Sequence, residues 1–198
     1  MSKRLFDVLM SSLGLLALGP LLILIALAVK LDSPGPVFFR QERVGRFGVP
    51  FRIHKFRTMR HDPAGNGLQI TVGADRRITR VGQFLRASKL DELPQLIDVW
   101  QGTMSLVGPR PEVPRYVAHY PAGLRDKVLS VRPGITDIAS IEYRDESAVL
   151  ARAADPERVY IDEVLPHKLA LAASYVDQAS VWLDVKLILR TIGAIVRG

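Results

Sequence analysis

Lys89-Leu90-Asp91-Glu92-Leu93-Pro94-Gln95-Leu96 sets two adjacent carboxylates just ahead of a proline. Arg86 stands shortly before them, and Gly108-Pro109-Arg110-Pro111 follows one helix-length later. Carboxylates can hold Mg²⁺ or attack phosphorus, and arginines hold phosphate oxygens, so these types together point to phosphoryl transfer. A plainer reading fits too. Ser88-Lys89-Leu90-Asp91 matches a helix start, with Ser88 as N-cap and an acid three residues on. First-turn acids gain about 0.3–1 kcal/mol from the helix dipole alone. On an α-helix, neighbouring side chains diverge by roughly 100°, so Asp91 and Glu92 would not share a face. Alone the pair reads as capping; the arginines around it favour chemistry.

A long apolar element precedes these residues. Val8 to Val29 contains no ionisable side chain, and its 22 residues would form a helix of about 33 Å, enough for a ~30 Å hydrocarbon core. It is too long for a signal peptide and lacks a cleavage pattern. Gly19-Pro20 falls at its middle, where proline removes a backbone hydrogen bond. Lys3 and Arg4 flank one end and Lys30, Arg40 and Arg43 the other, so positive charge sets no crossing direction. A helix that enters, breaks at Gly19-Pro20 and returns to the same face satisfies both facts.

The soluble part begins after the turn cluster Asp32-Ser33-Pro34-Gly35-Pro36. Val37–Gln41 and Phe51–Phe56 predict a hairpin around Gly45-Arg46-Phe47-Gly48, with Phe51, Ile53 and Lys55 on one face. Arg60 to Asp75 predicts a polar loop. Ile78–Leu85 leads into a helix expected to carry the carboxylates, with Leu93, Leu96, Ile97 and Trp100 at helical spacing. Glu112–Tyr120, Gly123–Leu129 and Ala148–Lys168 predict further helices, the last broken at Pro156 and Pro166. Val181–Val196 predicts a C-terminal helix with Lys186, Arg190 and Arg197 able to share a polar face, suited either to the headgroup layer or to the core.

The formal charge is +7 and the pI about 10.0, which suits anionic partners: nucleotide phosphates, acidic lipids or nucleic acid. No cysteine is present, which excludes disulfides and thiolate metal sites. His54, His61, His119 and His167 lack metal-ligand spacing and are expected to be incidental. Pro109 and Pro111 restrict the backbone around Arg110, which favours a fixed role for it.

Leu90–Gln95 and Met104–Pro111, in this order with other motifs, resemble the bacterial sugar transferases, the monotopic phosphoglycosyl transferases. The likeness also takes in Lys3-Arg4-Leu5-Phe6-Asp7, Ser33–Phe39, Gln41–Gly45, Lys55-Phe56-Arg57-Thr58-Met59 and Arg132-Pro133-Gly134-Ile135-Thr136. The resemblance implies an α+β chain: a membrane-inserted re-entrant helix (residues 1–31) and a small, mainly helical cytosolic catalytic domain with a β-hairpin (residues 32–198). It implies location at the bacterial inner membrane, with the site on the cytoplasmic face.

The implied reaction moves a sugar-1-phosphate from a UDP-sugar to polyprenyl phosphate, releasing UMP through a phosphosugar-aspartate. Asp91 would be nucleophile and Mg²⁺ ligand, and Glu92 its partner. Arg86 and Arg110 would hold substrate phosphates, and Arg144, aligned with a motif's terminal arginine, would join them; Lys55 and Arg57, in the hairpin's return strand, would either reach phosphate or form cationic surface. Implied partners are the UDP-sugar, polyprenyl phosphate and inner-membrane phospholipid, with no nucleic acid; a homodimer is a candidate assembly. The chain departs from the family pattern at Gly19, usually serine, at Thr103, often aspartate, and after Thr136. There Asp137–Arg144 replaces a common Gly-Trp-Ala-Gln-Val-Asn-Gly-Arg. Two rival readings are a membrane-tethered basic module binding anionic lipid or nucleic acid without catalysis, and a transferase that moves the sugar alone and leaves nucleoside diphosphate.

Overall fold

The apolar run becomes α1 (Lys3–Asp32) in the computed structural model, which describes residues 3–60, 75–143 and 146–196. The helix continues through Pro20, so the expected break at Gly19-Pro20 is not a break in helical structure. Long apolar helices tolerate an internal proline where neighbouring groups adapt to the lost hydrogen bond. By length and composition α1 is able to cross a membrane.

Both ends of α1 are fastened to the rest of the chain. Near its start, Arg4 donates to the Val99 and Trp100 carbonyls at 2.6 and 2.9 Å. Asp7, buried, accepts from Ser105 Oγ and from the Leu106 backbone N–H. Lys3 reaches Asp184 at 2.6 Å. At the other end, Ile25 and Val29 pack against Phe56 and Leu85. Between these anchors Leu13, Leu16, Leu21, Ile23, Leu24 and Leu27 are exposed.

The hairpin forms as predicted, in four short pieces. β1 (Phe38–Phe39) pairs with β4 (Lys55–Phe56), and β2 (Glu42–Val44) pairs with β3 (Pro50–Arg52). Phe38 opposite Phe56 and Glu42 opposite Arg52 keep one antiparallel register, which Ile53 N–H to Gln41 O carries across the gap. The tip turns through Phe47 at φ 59° and Gly48 at φ 79°. Of the predicted polar loop, residues 61–74 lie outside the described residues. Its ends meet where Met59 bridges Ile78 and Arg60 N–H donates to Arg77 O.

α2 (Arg80–Ala87) starts at Thr79, whose hydroxyl accepts from Gly82 N–H. A Cβ on Gly82 would lie 2.0 Å from the Thr58 carbonyl oxygen, so only glycine lets α2 press onto the segment that follows β4. α3 (Gln95–Gln101) follows, ended by Gly102 at φ 92°. β5 (Ser105–Val107) then pairs in parallel with β6 (Gly134–Thr136). At this junction Gly108 and Gly134 meet backbone to backbone: a Cβ on Gly134 would stand 2.1 Å from Gly108 N. That contact is the physical reason for glycine in both the Gly-Pro-Arg-Pro and Arg-Pro-Gly segments.

Between β5 and β6 run α4 (Pro114–Val117) and α5 (Ala122–Leu129); α6 (Ile138–Glu142) and α7 (Glu146–Leu150) come after. Pro156 opens α8 (Pro156–Val159) as expected. Pro166 does not interrupt the chain: a π-helical turn (Tyr160–Val164) leads straight into α9 (Leu165–Gln178), with the proline in its first turn. Proline has no N–H to donate, and the wider π-helical turn directly ahead of it lets the helical path continue without that hydrogen bond.

α10 (Val181–Val196) has two characters. Leu187 and buried Asp184 face Val107 and Tyr175 in the core, while Trp182, Leu189 and Ile192 are exposed beside the exposed Lys186 and Arg190. Arg197 lies outside the described residues.

Candidate active site

Asp91 and Glu92 do not sit in the first turn of an α-helix. Ser88 caps the C-terminus of α2, its hydroxyl donating to Phe84 O at 2.7 Å, so it is not the expected N-cap. Lys89 then takes φ 56°, a left-handed conformation that costs a non-glycine residue roughly 1–3 kcal/mol. The reversal starts a 3₁₀ turn, Leu90–Glu92, before Pro94 opens α3.

The turn does what an α-helix would not: it brings both carboxylates to one cation. Lys55 Nζ lies 3.0 Å from Asp91 Oδ2 and 3.0 Å from Glu92 Oε1. Glu92 is also gripped by Arg110, whose Nη1 donates to Oε2 at 3.1 Å and whose Nη2 meets Oε1. Burial alone would push the Glu92 carboxyl up, but the Arg110 and Lys55 charges beside it hold it well below the usual carboxylate range. In return Glu92 raises the Arg110 guanidinium.

Asp91 is held differently. Its side chain is only 3% exposed, and Oδ1 accepts no hydrogen bond from the protein. A buried carboxylate oxygen without a donor is costly to leave so. Its lone pairs are thus uncommitted within the protein, unlike those of Asp91 Oδ2 and of both Glu92 oxygens. Arg86 Nε donates to Thr58 Oγ1 at 2.9 Å; burial lowers its pKa and the nearby Asp91 charge opposes that shift.

Four of the sequence-predicted residues therefore gather here: Asp91, Glu92, Lys55 and Arg110, with Arg86 electrostatically coupled to Asp91. Arg57 does not join them. It is buried, and its guanidinium donates to the carbonyls of Val29 (3.1 Å), Ser33 (2.6 Å) and Pro34, closing the C-terminus of α1. Helix ends leave carbonyls unpaired, and a cation there also complements the helix dipole. Arg144 lies outside the described residues, as does His61.

Several neighbours carried no signal in the sequence. Asp137, one of the departures from the family pattern, accepts the Arg110 backbone N–H at 3.2 Å and caps α6 through Ser140 N–H at 2.6 Å. His54, expected to be incidental, is clamped by Asp98, through Nδ1 at 2.7 Å and its backbone N–H at 2.8 Å. That clamp fixes the residue next to Lys55. Glu112 forms a buried network with Tyr160, Lys168 and Arg43, directly after Pro111. Apart from the local cap at Ser140, each of these contacts joins residues far apart in the chain, so spacing could not announce it.

Among the described residues, no group of three His, Asp or Glu side chains could hold a metal. Mg²⁺ often binds through one or two carboxylates with substrate phosphates and water completing its shell, and the pair at Asp91 and Glu92 is compatible with that donor set.

The whole chain, residues 1–198, matches the family model described as bacterial sugar transferase. It is 40% identical over 192 residues to UDP-glucose:undecaprenyl-phosphate glucose-1-phosphate transferase of Caulobacter vibrioides, covering 96% of this chain and 68% of that protein. The Escherichia coli K12 protein of the same name is 39% identical, over 96% of this chain and 39% of its own length. The UDP-N-acetylgalactosamine-undecaprenyl-phosphate N-acetylgalactosaminephosphotransferase of Aeromonas hydrophila is 36% identical, over 99% and 44%. The chain thus spans less than half of the latter two. With its motifs in order and its length matched throughout, the chain belongs to the bacterial sugar transferase family of enzymes.

Proposed function

We propose that this chain transfers a sugar-1-phosphate from a UDP-sugar to a polyprenyl phosphate at the inner face of the bacterial cytoplasmic membrane, as the first membrane step of a glycoconjugate or polysaccharide pathway. The observation that carries the reading is the unpartnered, buried Asp91 Oδ1 in a site where Lys55 and Arg110 offset the neighbouring carboxylate. The names of the relatives support the same donor and acceptor classes.

In this reading Asp91 Oδ1 attacks the phosphorus that bears the sugar. A carboxylate-oxygen-to-phosphorus bond forms, the diphosphate bridge breaks, and its electron pair leaves on UMP. A polyprenyl phosphate oxygen then attacks the same phosphorus and returns the electron pair to Asp91, giving polyprenyl diphosphate sugar. Two steps at one nucleophile let a soluble and a membrane-bound substrate use the site in turn. Glu92 holds Lys55 and Arg110 in place, and these cations and Arg86 take up phosphate charge. Mg²⁺ bound with Asp91 and the donor diphosphate would reduce the repulsion between anions.

The membrane helix is proposed to be re-entrant, with both ends on the domain's side. Support comes from Lys3, Arg4 and Asp7 at one end and Arg57 at the other, all tied to the same domain. The test is the nucleotide product, with purified protein, UDP-sugar and polyprenyl phosphate: UMP is expected. UDP instead would mean transfer of the sugar alone; phosphate-lipid binding with no nucleotide released would mean a binding module.

A further inference from the structure

The return strand of the hairpin is fastened to α3 at the residue just before Lys55. Ile53 N–H stays within the hairpin, donating to Gln41 O at 3.1 Å. The next N–H, that of His54, leaves it and donates to Asp98 Oδ2 at 2.8 Å. The His54 ring makes a second bond to the same carboxylate, Nδ1 to Oδ1 at 2.7 Å. Arg40 fixes which ring nitrogen donates. Its Nη1 meets Nε2, and a guanidinium can only donate, so Nε2 accepts and the ring proton stands on Nδ1. Both oxygens of the buried Asp98 carboxylate are thereby committed to one residue.

Asp98 is itself fixed. It lies in α3, the helix that follows the carboxylate turn. Its carbonyl accepts from the Gly102, Thr103 and Met104 N–H groups at 3.0–3.1 Å, closing that helix. Val99 beside it packs with Ile53 and Met104, and the Val99 carbonyl takes Arg4 of α1. The other tie between strand and turn, Lys55 to Asp91 and Glu92, cannot stay constant through the proposed reaction. Asp91 loses its negative charge on bonding to phosphorus, and Lys55 turns to phosphate oxygens. The bonds between His54 and Asp98 involve neither reacting carboxylate, so they outlast that exchange.

We propose that His54 is a positioning residue for the transfer: through its two bonds to Asp98 it holds the Lys55 ammonium beside Asp91 while the contacts of Lys55 pass from carboxylate to phosphate and back. The inference rests on the function proposed above for the reaction, and on the bonds of His54 alone for the placement of Lys55.

His54→Leu keeps bulk and removes the ring donor, whereas His54→Asn keeps an N–H near the place of Nδ1. In single turnovers the first-order rate constant for UMP release does not depend on how much of the protein is folded. His54→Leu is expected to lower it by roughly 10- to 100-fold, the scale of a misplaced catalytic group, with little change in the donor concentration that half-saturates it. His54→Asn is expected to recover most of the rate. In a Lys55→Met background His54→Leu should add nothing further, because residues acting along one path are not additive. A loss that persists in that background, or His54→Asn as slow as His54→Leu, would overturn the proposal. A second measurement needs no turnover: acetylation of Lys55 by N-hydroxysuccinimidyl acetate, followed by peptide mass spectrometry. Lys168, paired with Glu146 at 2.8 Å, is the reference. His54→Leu is expected to acetylate faster than wild type at Lys55 and equally at Lys168. An unchanged rate at Lys55 would overturn the proposal, and a rise at both lysines would make His54 a general fold contact and overturn it too. A wild type that releases no UMP would count against the proposed function, while acetylation still reads the placement of Lys55.

Discussion

Lys55 and Asp91 meet at 3.0 Å across the junction of the hairpin and a 3₁₀ turn, and the same ammonium is 3.0 Å from Glu92. One cation thus stands between two consecutive carboxylates that would otherwise repel each other. The arrangement leaves Glu92 fully engaged and Asp91 with one oxygen to spare, so the two acids are expected to fail differently when altered.

Asp91→Asn keeps the size of the side chain and removes the nucleophile. Release of UMP is expected to fall by roughly 10³-fold or more, the scale of losing one member of a nucleophilic unit. Circular dichroism and thermal unfolding should show the fold retained. Activity within a few-fold of wild type would rule out the covalent route.

Glu92 should reveal itself through pH. Its carboxyl is held well below its ordinary value of 4.5, so the ionised pair stabilises the fold fully above that value. The contribution drains away as pH falls through the lowered folded-state value. The melting temperature of wild type should therefore exceed that of Glu92→Gln near neutrality, and the gap should narrow on acidification below about pH 4.5. A gap that stays constant down to about pH 2 would deny the ion pairs this role.

Arg110→Lys preserves charge but not the two-pronged grip on Glu92. A loss of roughly 10- to 100-fold in kcat/KM for the donor is expected, matching one charge-assisted hydrogen bond at about 1.5–3 kcal/mol. Kinetics equal to wild type would make Arg110 a surface charge.

Arg57→Lys tests a role that the structure gives and the motif did not. With its fork on three α1-end carbonyls lost, the melting temperature should drop by roughly 4–10 °C while the donor KM holds. A raised donor KM at unchanged melting temperature would instead return Arg57 to substrate phosphate.

Topology can be read with Ser2→Cys, since the chain has no other thiol. In intact cells stripped of outer layers, an impermeant thiol reagent should leave it unlabelled. Labelling would place the N-terminus across the membrane, and Lys3, Arg4 and Asp7 would have to abandon Asp184, Val99 and Leu106.

The hairpin and α10 were legible because alternation and helical spacing are local properties, and Val181–Val196 was read to its full extent. The 3₁₀ turn was not, because it depends on Lys89 adopting a left-handed backbone that no residue type advertises. Ser88 misled for a related reason: a hydroxyl followed by an acid fits a helix start, but here it ends the preceding helix. β5 and β6 were missed because three-residue strands carry too little pattern, and their pairing depends on Gly108 meeting Gly134. Arg57 shows the limit of motif reading: its segment was recognised, but its partners are carbonyls that sequence cannot point to.

The clasp between Lys3 and Asp184 sets an order of events during synthesis. The two residues are 181 positions apart. At the usual ~5–20 residues per second, Lys3 waits roughly 10–40 s for its partner to be made. Asp7 likewise waits for Leu106, 99 positions on. The nascent α1 has therefore left the ribosome, with its exposed leucines, well before any of the surface that fastens its first turns exists. Under the proposed function, bilayer insertion would be the first event open to it, and the rest of the chain would assemble around a helix already in lipid. A domain expressed without α1 would lack the frame on which it closes.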